Sequence, residues 1–422
     1  MKLASFIAPV LALFCGMPLY TQDAGLGHGA PTPISTAVEE AENNNTQIVA
    51  ADHAWSASEH IARQFRALAN SQATPQNSSA GNVNPTASAL NCNQTCTGVK
   101  IPQDSSHAGE LQLWAEATQR EADAKHAQVD VFRSNIADQV KTIYLRLAYL
   151  YEMYQLDDRG EADLAALIQD EISRYSLGMG SQADVLQAQL ERTKLLRETT
   201  LQHEEVGGLQ AGLKALLHRP PDSPDIIPES IAMTPLKYAA SELLLKTAKQ
   251  NPTLTADSRM IEAQIAQLDV AKNGTNLDFN LGYTFPQVGE DYSDGYVLTF
   301  NRQLPSGPGE DDRIAAATER VENSRSQASE DHLRQLAEVQ KQYVLVTSSE
   351  ELTRECKDGL IPQSKAVYES KLSGYESALE KFSTVIGAFQ NEIDFENDYL
   401  QALLDHETAL AHLETLTGEK LR

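Results

Sequence analysis

The chain has 422 residues, with 34 basic and 59 acidic side chains and a formal net charge of -25. This balance argues against nucleic acid as a partner, because phosphate backbones are bound by basic surfaces. Aromatic residues make up only 6% of the sequence, and the abundance of Ala, Leu, Gln and Glu favours long helices with shallow packing. The composition predicts a mainly helical protein that handles cations or lies among solvated surfaces.

Residues 1–24 are typical of a secretory signal peptide, since Lys2 precedes an apolar run too short for a membrane-spanning helix. Cleavage after Ala24 and cleavage after Ala30 both fit the sequence. Cys15 raises the alternative of a lipid anchor, but Phe14 stands where a lipoprotein signal has a small residue. No later apolar run has the length of a transmembrane helix, so a passage through a membrane would use β-strands.

The remaining cysteines divide into a close pair and a single residue. Cys92 and Cys96 lie in a stretch rich in Gly, Asn and Thr, where an exported protein can form a small disulfide loop. A metal site at this pair would lack two further ligands nearby. Cys356 lies alone in a helical pattern and is interpreted as a packing residue. We therefore predict one possible disulfide, Cys92–Cys96, and no metal.

Residues 31–219 form the first of two predicted repeats, in the order helix, hairpin, long helix, helix. Its first helix begins at a capping box formed by Thr36 and Glu39 and continues to about Asn70. The next stretch, Ser71 to Ser106, is rich in Pro, Asn, Ser, Gly and Thr. It predicts a loop or weak strand, without aromatic residues.

Helical spacing resumes near Glu110 and is nearly unbroken to Ser176. Apolar side chains there recur at alternating three- and four-residue steps, which is the spacing of a coiled-coil seam. The seam positions are Val129, Phe132, Ile136, Val140, Ile143, Leu147, Leu150 and Tyr154. At 1.5 Å per residue this helix would be on the order of 100 Å long. A second helix is predicted from Ala183 to Leu217.

A Pro-rich linker, residues 220–233, separates the two repeats, because proline removes an amide donor and restricts its neighbour. The second repeat, residues 234–422, begins with Thr234 as a predicted N-cap before Pro235. It repeats the order helix, hairpin, long helix, helix, which indicates a duplication. Both long helices carry a glycine before their ends, Gly160 and Gly359, which predicts either a bend or a plain surface irregularity.

Two short segments lie where each pair of long helices would meet. Tyr175 to Leu186 reads YSLGMGSQADVL, and Tyr375 to Ile386, 200 residues later, reads YESALEKFSTVI. In each, a tiny residue follows the tyrosine by three positions, and helical spacing then resumes. We predict two helical tips of the same design.

Aromatic and apolar residues alternate with polar ones in two stretches of the second repeat. The positions on the apolar face are Leu277, Phe279, Leu281, Tyr283, Phe285, Tyr296, Leu298 and Phe300. A period of two with aromatic residues on one face is typical of transmembrane β-strands. A half-buried strand of a soluble sheet is the alternative, and we favour membrane strands because the chain offers few other strands for such a sheet.

Taken together, these features resemble the TolC-type family of outer-membrane efflux channels over nearly the whole mature chain. The residues that carry the resemblance lie at the two tips and at the ends of the repeats. They are Tyr175, Gly178, Asp184-Val185-Leu186, Ala188-Gln189, Leu216 to Pro220, Asn251-Pro252, Ile361-Pro362-Gln363, Tyr375, Phe382 to Ile386 and Leu413 to Gly418.

The resemblance implies a homotrimer in the outer membrane, with long helices forming a periplasmic α-barrel and hairpins from each protomer closing one shared β-barrel in the lipid. It implies a passive exit duct of a tripartite efflux or type I secretion system, without cofactors. The tips would dock a periplasmic adaptor, or membrane fusion protein, that connects the channel to an inner-membrane pump.

Two groups of tip residues follow as hypotheses. The adaptor-docking tips comprise Gly178, Met179, Gly180, Ala378 and Leu379, because small residues permit a tight turn and leave the backbone open to a partner. The gate candidates are Asp184, Tyr375, Glu380 and Lys381. Glu380 stands where some relatives place a basic residue and would repel Asp184, with Lys381 able to compensate. Turn chemistry alone is the alternative for the docking residues.

An enzymatic function lacks support in the sequence. It contains no phosphate-binding glycine loop and no Gly-x-Ser-x-Gly motif, and the spacings of His53 with His60 and of His406 with His412 do not suit a zinc ligand pair. The alternative to a channel is a periplasmic coiled-coil interaction protein without a pore.

Overall fold

The computed structural model describes residues 30–70, 98–100, 105–273, 277–284, 295–302 and 308–421. The predicted signal peptide, the Cys92–Cys96 pair and Phe285 lie outside these ranges. The helices are α1 (Ile34–Asn44), α2 (Thr46–Asn70), α3 (Ser105–Ser176), α4 (Gln182–Leu216), α5 (Ala240–Gln250), α6 (Pro252–Asn273), α7 (Pro308–Glu355), α8 (Ile361–Glu376) and α9 (Phe382–Thr417). A π-helical segment, Cys356–Leu360, joins α7 to α8. The strands are β1 (Gly98–Lys100), β2 (Leu277–Thr284) and β3 (Gly295–Arg302).

The described helices of the two halves correspond in order and length. The short helices α1 and α5 both have 11 residues, and α4 and α9 have 35 and 36. The 72-residue α3 corresponds to α7, the π-helical segment and α8 together. The fold is mainly helical, as the composition predicts.

Two helix boundaries differ from the sequence predictions. The first helix does not continue unbroken to Asn70, because α1 ends at Asn44 and α2 begins at Thr46. Thr234 does not start a helix, since α5 begins only at Ala240. The Thr234 amide instead donates to the Glu407 carboxylate on α9, at 2.6 Å, so a tertiary contact satisfies this amide.

An asparagine lies between the first two helices of each half, Asn45 between α1 and α2 and Asn251 between α5 and α6. Asn45 accepts a hydrogen bond from the Gln47 amide (2.9 Å) and donates to the Leu216 carbonyl at the end of α4 (3.0 Å). Asn251 accepts from the Leu254 amide (3.0 Å) and donates to the Leu416 carbonyl of α9 (2.8 Å). Each side chain therefore caps the following helix and satisfies a carbonyl at the end of another.

The predicted seam of α3 lies in the core. Its positions Val129, Ile136, Val140 and Leu147 are buried with residues from α1, α2 and α4, and Leu150 is buried in the adjoining cluster that includes Leu404 and Ala411 of α9. At 1.5 Å per residue α3 is about 110 Å long. The apolar face of α3 thus packs against helices from both halves of the chain.

The strands form an antiparallel sheet in the order β1-β2-β3. β2 and β3 coincide with the two alternating stretches of the sequence, and their register pairs Phe279 with Phe300 and Tyr283 with Tyr296. Directly paired residues lie on the same face of a sheet, so the aromatic positions of both strands share one face. β1 comes from the first half and pairs Val99 with Tyr283.

Within the described ranges, no helix is both long enough and apolar enough to cross a membrane.

We expect Asn251→Ala to destabilise the protein by about 2 kcal/mol, because the substitution removes a helix cap and leaves a buried carbonyl without its donor. Asn45→Ala should have a similar effect in the first half. Unfolding in urea, followed by circular dichroism, measures the change. Asn391→Ala, at an exposed position of α9, is the matched control and should leave the midpoint within error.

Candidate functional site

The first tip is a tight turn between α3 and α4. Its backbone amides donate to the end of α3, Gly178 to the Tyr175 carbonyl (3.0 Å) and Met179 to the Arg174 carbonyl (2.9 Å). Gly178 adopts φ +70°, in the left-handed region that glycine enters without strain. Ser181 and Asp184 then form a capping box at the start of α4. The first tip is thus a closed turn followed by a well-capped helix.

The second tip has the same backbone arrangement with different side chains. The Ala378 amide donates to the Tyr375 carbonyl (2.9 Å), and the Leu379 amide donates to the Gly374 carbonyl (2.8 Å). Ala378 adopts φ 57°, matching Gly178. A non-glycine residue in this conformation costs about 1–2 kcal/mol. The replacement of glycine by alanine therefore changes the strain of the turn and not its shape.

Large apolar side chains are exposed at both tips. Leu177 and Met179 are 69% and 64% exposed at the first tip, and Leu379 is 83% exposed at the second. Exposed apolar groups of this size, concentrated at a turn, are typical of a surface that another protein covers. Met179 and Leu379, two of the predicted docking residues, are thus largely exposed to solvent.

The two tip tyrosines occupy different environments. Tyr175 is 51% exposed, whereas Tyr375 is 7% exposed and packs edge-on against Phe382. The Arg174 guanidinium lies 4.4 Å from the centre of the Tyr375 ring and donates to the Tyr375 carbonyl at 3.4 Å. Tyr375 therefore ties the end of α3 to the second tip, and Tyr175 has no comparable position.

A buried carboxyl group, Glu171 of α3, lies beside Tyr375. Burial and the Glu171 carboxylate raise the pKa of the Tyr375 hydroxyl. Burial likewise raises the pKa of Glu171, opposed by its interactions with Tyr375 and Arg174. Both Glu171 carboxylate oxygens lack a donor at ordinary hydrogen-bond geometry. The Glu171 charge therefore acts on the Tyr375 hydroxyl without a well-formed hydrogen bond between them. Glu171 and Arg174 were not predicted from the sequence, where they are two charged residues in a long charged helix.

The other gate candidates make local contacts. The Asp184 carboxylate accepts from the Ser181 amide (3.3 Å) and hydroxyl (2.8 Å), so it caps α4. Glu380 accepts from Lys371 (2.7 Å) and from the Thr384 hydroxyl (3.3 Å), and Lys371 lowers the pKa of its carboxyl group. The ion-pair partner of Glu380 is thus Lys371, and Lys381 occupies the N-cap position of α9.

A separate hydrophobic cluster holds the tips together. The cluster consists of Leu164 and Leu167 of α3, Ala188 of α4, and Tyr375, Phe382, Val385, Ile386 and Phe389 around the second tip. Its members come from α3, α4, α8 and α9, so the two helical hairpins share one core near their ends.

Gly160 and Gly359, the glycines that precede the two tips in the sequence, have different surroundings. A Cβ atom at Gly160 would lie 3.3 Å from Ile393 Cδ1 and 3.4 Å from Leu195 Cδ2, so Gly160 permits close packing of α3 against α4 and α9. A Cβ atom at Gly359 would meet no neighbour within 4 Å, and this glycine lies in the π-helical segment, where Cys356 is buried. The irregularity predicted at Gly359 is therefore a local change of helix type.

Polar contacts also join α3 to α9 well above the tips. The His412 ring bonds to the Asp138 carboxylate (Nδ1 to Oδ1, 2.7 Å), and the Thr415 hydroxyl donates to the same oxygen (3.2 Å). Lys141 pairs with the buried Glu414 carboxylate at 2.7 Å. The Asp138 carboxylate raises the pKa of His412, which makes this contact between the two halves sensitive to pH.

This fold, two matched sets of helices with long helices ending in paired tips, is that of known outer-membrane channels. The outer-membrane channel OprN superposes with a TM-score of 0.73 at 15% identity, over 92% of this chain and 90% of that one. The outer membrane protein VceC of Vibrio cholerae gives 0.70 at 18% identity, over 92% and 97%. CusC, which forms a transmembrane channel, gives 0.73 at 14% identity, over 94% and 96%.

These superpositions confirm the predicted resemblance at the level of the fold. No protein-family model matches the sequence, and no curated protein matches it significantly.

We expect the pH dependence of stability to reveal the pair between His412 and Asp138. Because the pKa of His412 is raised above its ordinary value of 6.5, the pair stabilises the folded chain fully below that value, and this contribution is lost as pH rises through the raised pKa. Urea unfolding between about pH 6 and about pH 9 measures it. His412→Gln should flatten the profile, whereas His332→Gln, at an exposed position of α7, should not.

Proposed function

We propose that the chain is a passive exit channel of the outer membrane with a periplasmic extension, acting as the outer component of a tripartite efflux or type I secretion system. The observation that carries the proposal is the duplicated helical fold, which superposes on outer-membrane channels over more than nine-tenths of the chain. The secretory signal predicted at the N-terminus is consistent with this location. An enzymatic role forms no part of the proposal.

The sheet supports assembly from several copies. Among the described residues, β1, β2 and β3 form an open sheet within one chain, and unpaired strand edges are strongly disfavoured in lipid. Closure with strands from other protomers would remove those edges, and the shared aromatic face of β2 and β3 would then lie against the lipid. We propose a homotrimer that closes one β-barrel in this way.

Exposed apolar residues on the long helices offer further contacts between protomers. They lie on α4 and on α7 with α8, where a single chain leaves large side chains in water. These residues are Leu186, Leu190, Leu196, Leu201, Leu333, Val344, Leu345, Leu352 and Val367. Packing α4 of one protomer against α7 and α8 of the next would cover them and close a helical tunnel.

The tips would bind a periplasmic adaptor that connects the channel to an inner-membrane pump. Gly178, Gly180 and Ala378 permit the tight turns, and Met179 and Leu379 supply the apolar contact. The exposure of Met179 and Leu379 in the free chain supports this assignment.

We expect Met179→Glu and Leu379→Glu to weaken adaptor binding by about tenfold each, because each change places a charge in an apolar contact. Co-purification of the adaptor after cross-linking in cells measures the effect. Leu245→Glu, at a similarly exposed position of α5, is the control. Equal adaptor recovery from both tip variants and the control would contradict the docking assignment.

The contacts around Tyr375 would hold the periplasmic mouth closed. Tyr375, Glu171 and Arg174 connect α3 to the second tip, so separation of the hairpins must break these contacts. Glu380 and Lys381 lie at the start of α9, and Asp184 lies at the start of α4. We propose that Tyr375 is the principal gate residue and that the three charged residues modulate the opening.

We expect Tyr375→Leu to raise the open-to-closed ratio of the reconstituted channel by roughly tenfold, since the Arg174 guanidinium loses the aromatic ring on which it stacks. Tyr175→Leu, at the matching but exposed position, should behave like the unaltered protein. Single-channel recordings in planar bilayers measure both. If the two variants gave the same ratio, closure would not depend on Tyr375.

The alternative is a periplasmic coiled-coil interaction protein without a pore. Fractionation separates the two functions: a heat-modifiable trimer in outer-membrane extracts supports the channel, and a soluble periplasmic species supports the alternative. Conductance of the purified protein in planar bilayers would complete the test. We expect a trimer that conducts ions.

A further inference from the structure

Each half of the chain contains the same contact between uncharged groups, a hydrogen bond from an asparagine side chain to a leucine carbonyl. Asn45, directly after α1, donates to the Leu216 carbonyl of α4 at 3.0 Å. Asn251, directly after α5, donates to the Leu416 carbonyl of α9 at 2.8 Å. Because donor, acceptor and geometry match, this contact does not determine which short helix packs at which end.

An ion pair beside each neutral contact differs between the halves. In the first half Glu40 of α1 accepts from Arg219, after α4, through two bonds of 2.6 and 2.5 Å. In the second half Lys246 of α5 donates to Glu419, after α9, at 2.6 Å. Glu40 and Lys246 each precede the asparagine by five residues, and Arg219 and Glu419 each follow the accepting leucine by three. The positions correspond, and the charges are reversed.

We propose that this reversal of charge directs each short helix to the helix end of its own half. Exchanged docking would place Glu40 beside Glu419 and Lys246 beside Arg219, two pairs of like charges. Juxtaposed like charges disfavour a wrong partner more strongly than matched charges favour the right one. The same rule disfavours exchange of these helices between two copies of the chain.

The surroundings of the pairs strengthen this effect. All four side chains are partly covered, with none more than about two-fifths exposed. Lys246 also lies 4.5 Å from the centre of the Tyr238 ring. Salt screens partly covered charges less than fully exposed ones, so the discrimination persists at physiological ionic strength.

Side-chain size offers a competing explanation. The small buried Ala37 and Ala41 of α1 correspond to the buried Leu243 and Thr247 of α5. Steric fit could therefore sort the helices without any help from charge. The test must change the charges while these four residues stay the same.

The test compares two variants of the full chain, unfolded in urea and refolded in detergent micelles. The double variant Glu40→Lys with Arg219→Glu keeps an ion pair in each half but gives both halves the same polarity. The quadruple variant adds Lys246→Glu and Glu419→Lys, which restores opposite polarity. We expect the double variant to refold with about threefold lower yield and the quadruple variant to refold like the unaltered chain.

Carbodiimide cross-linking followed by mass spectrometry reports the docking directly, because it joins an amine to a carboxylate in contact. Native docking of the double variant joins position 40 to 219 and position 246 to 419. Exchanged docking joins 40 to 419 and 219 to 246, within a chain or between chains. Exchanged links can form only in the double variant, because exchange in the unaltered chain or the quadruple variant does not bring an amine to a carboxylate. We expect both native and exchanged links in the double variant.

Two results would overturn the proposal. Normal yield from the double variant without exchanged links would assign the sorting to side-chain size. An equal loss of yield in the double and quadruple variants would assign the effect to disturbed local packing, since the quadruple variant restores the charge opposition.

Discussion

The burial of one face of α3 along its length is the interaction on which the rest of the structure depends. An isolated helix of 72 residues gains little from its own hydrogen bonds in water, so its stability comes from the packing of its apolar face. That face meets α1, α2 and α4 in one cluster and α9 in another. Helices of both halves of the chain therefore pack against α3, and the position of the tips depends on this packing.

The two tips share a backbone and differ in what lies behind it. Leu186 of α4 is exposed, whereas the corresponding Ile386 of α9 is buried in the cluster around Tyr375. One hairpin thus presents apolar surface outward, and the other turns it inward. The duplicated unit therefore ends in two different tips, one followed by an exposed apolar side chain and the other by a buried one.

The sequence predicted the order of the helices and the positions of the tips better than the boundaries between consecutive helices. The heptad spacing identified the buried face of α3, and the 200-residue interval located both tips. The break at Asn45 escaped prediction because the residues on both sides favour a helix, and one of the Asn45 hydrogen bonds goes to Leu216, which is distant in the sequence. Thr234 was wrong as an N-cap for the same reason, since Glu407 on a distant helix holds its amide.

The contacts of the gate candidates were also beyond the sequence. Tyr175 and Tyr375 have matching positions in the two tips, and nothing local distinguishes the exposed ring from the buried one. The pairing of Lys371 with Glu380 depends on the turn between α8 and α9, which brings Glu380 next to α8. Tertiary packing makes these selections. The π-helical segment Cys356–Leu360 has a further consequence, for evolution. A π turn absorbs an extra residue, and one residue corresponds to about 100° of rotation around a helix. A single residue inserted or deleted at this level can therefore change the helix type locally without rotating the buried face of α8 into solvent, so the sequences of α7 and α8 can vary independently of each other.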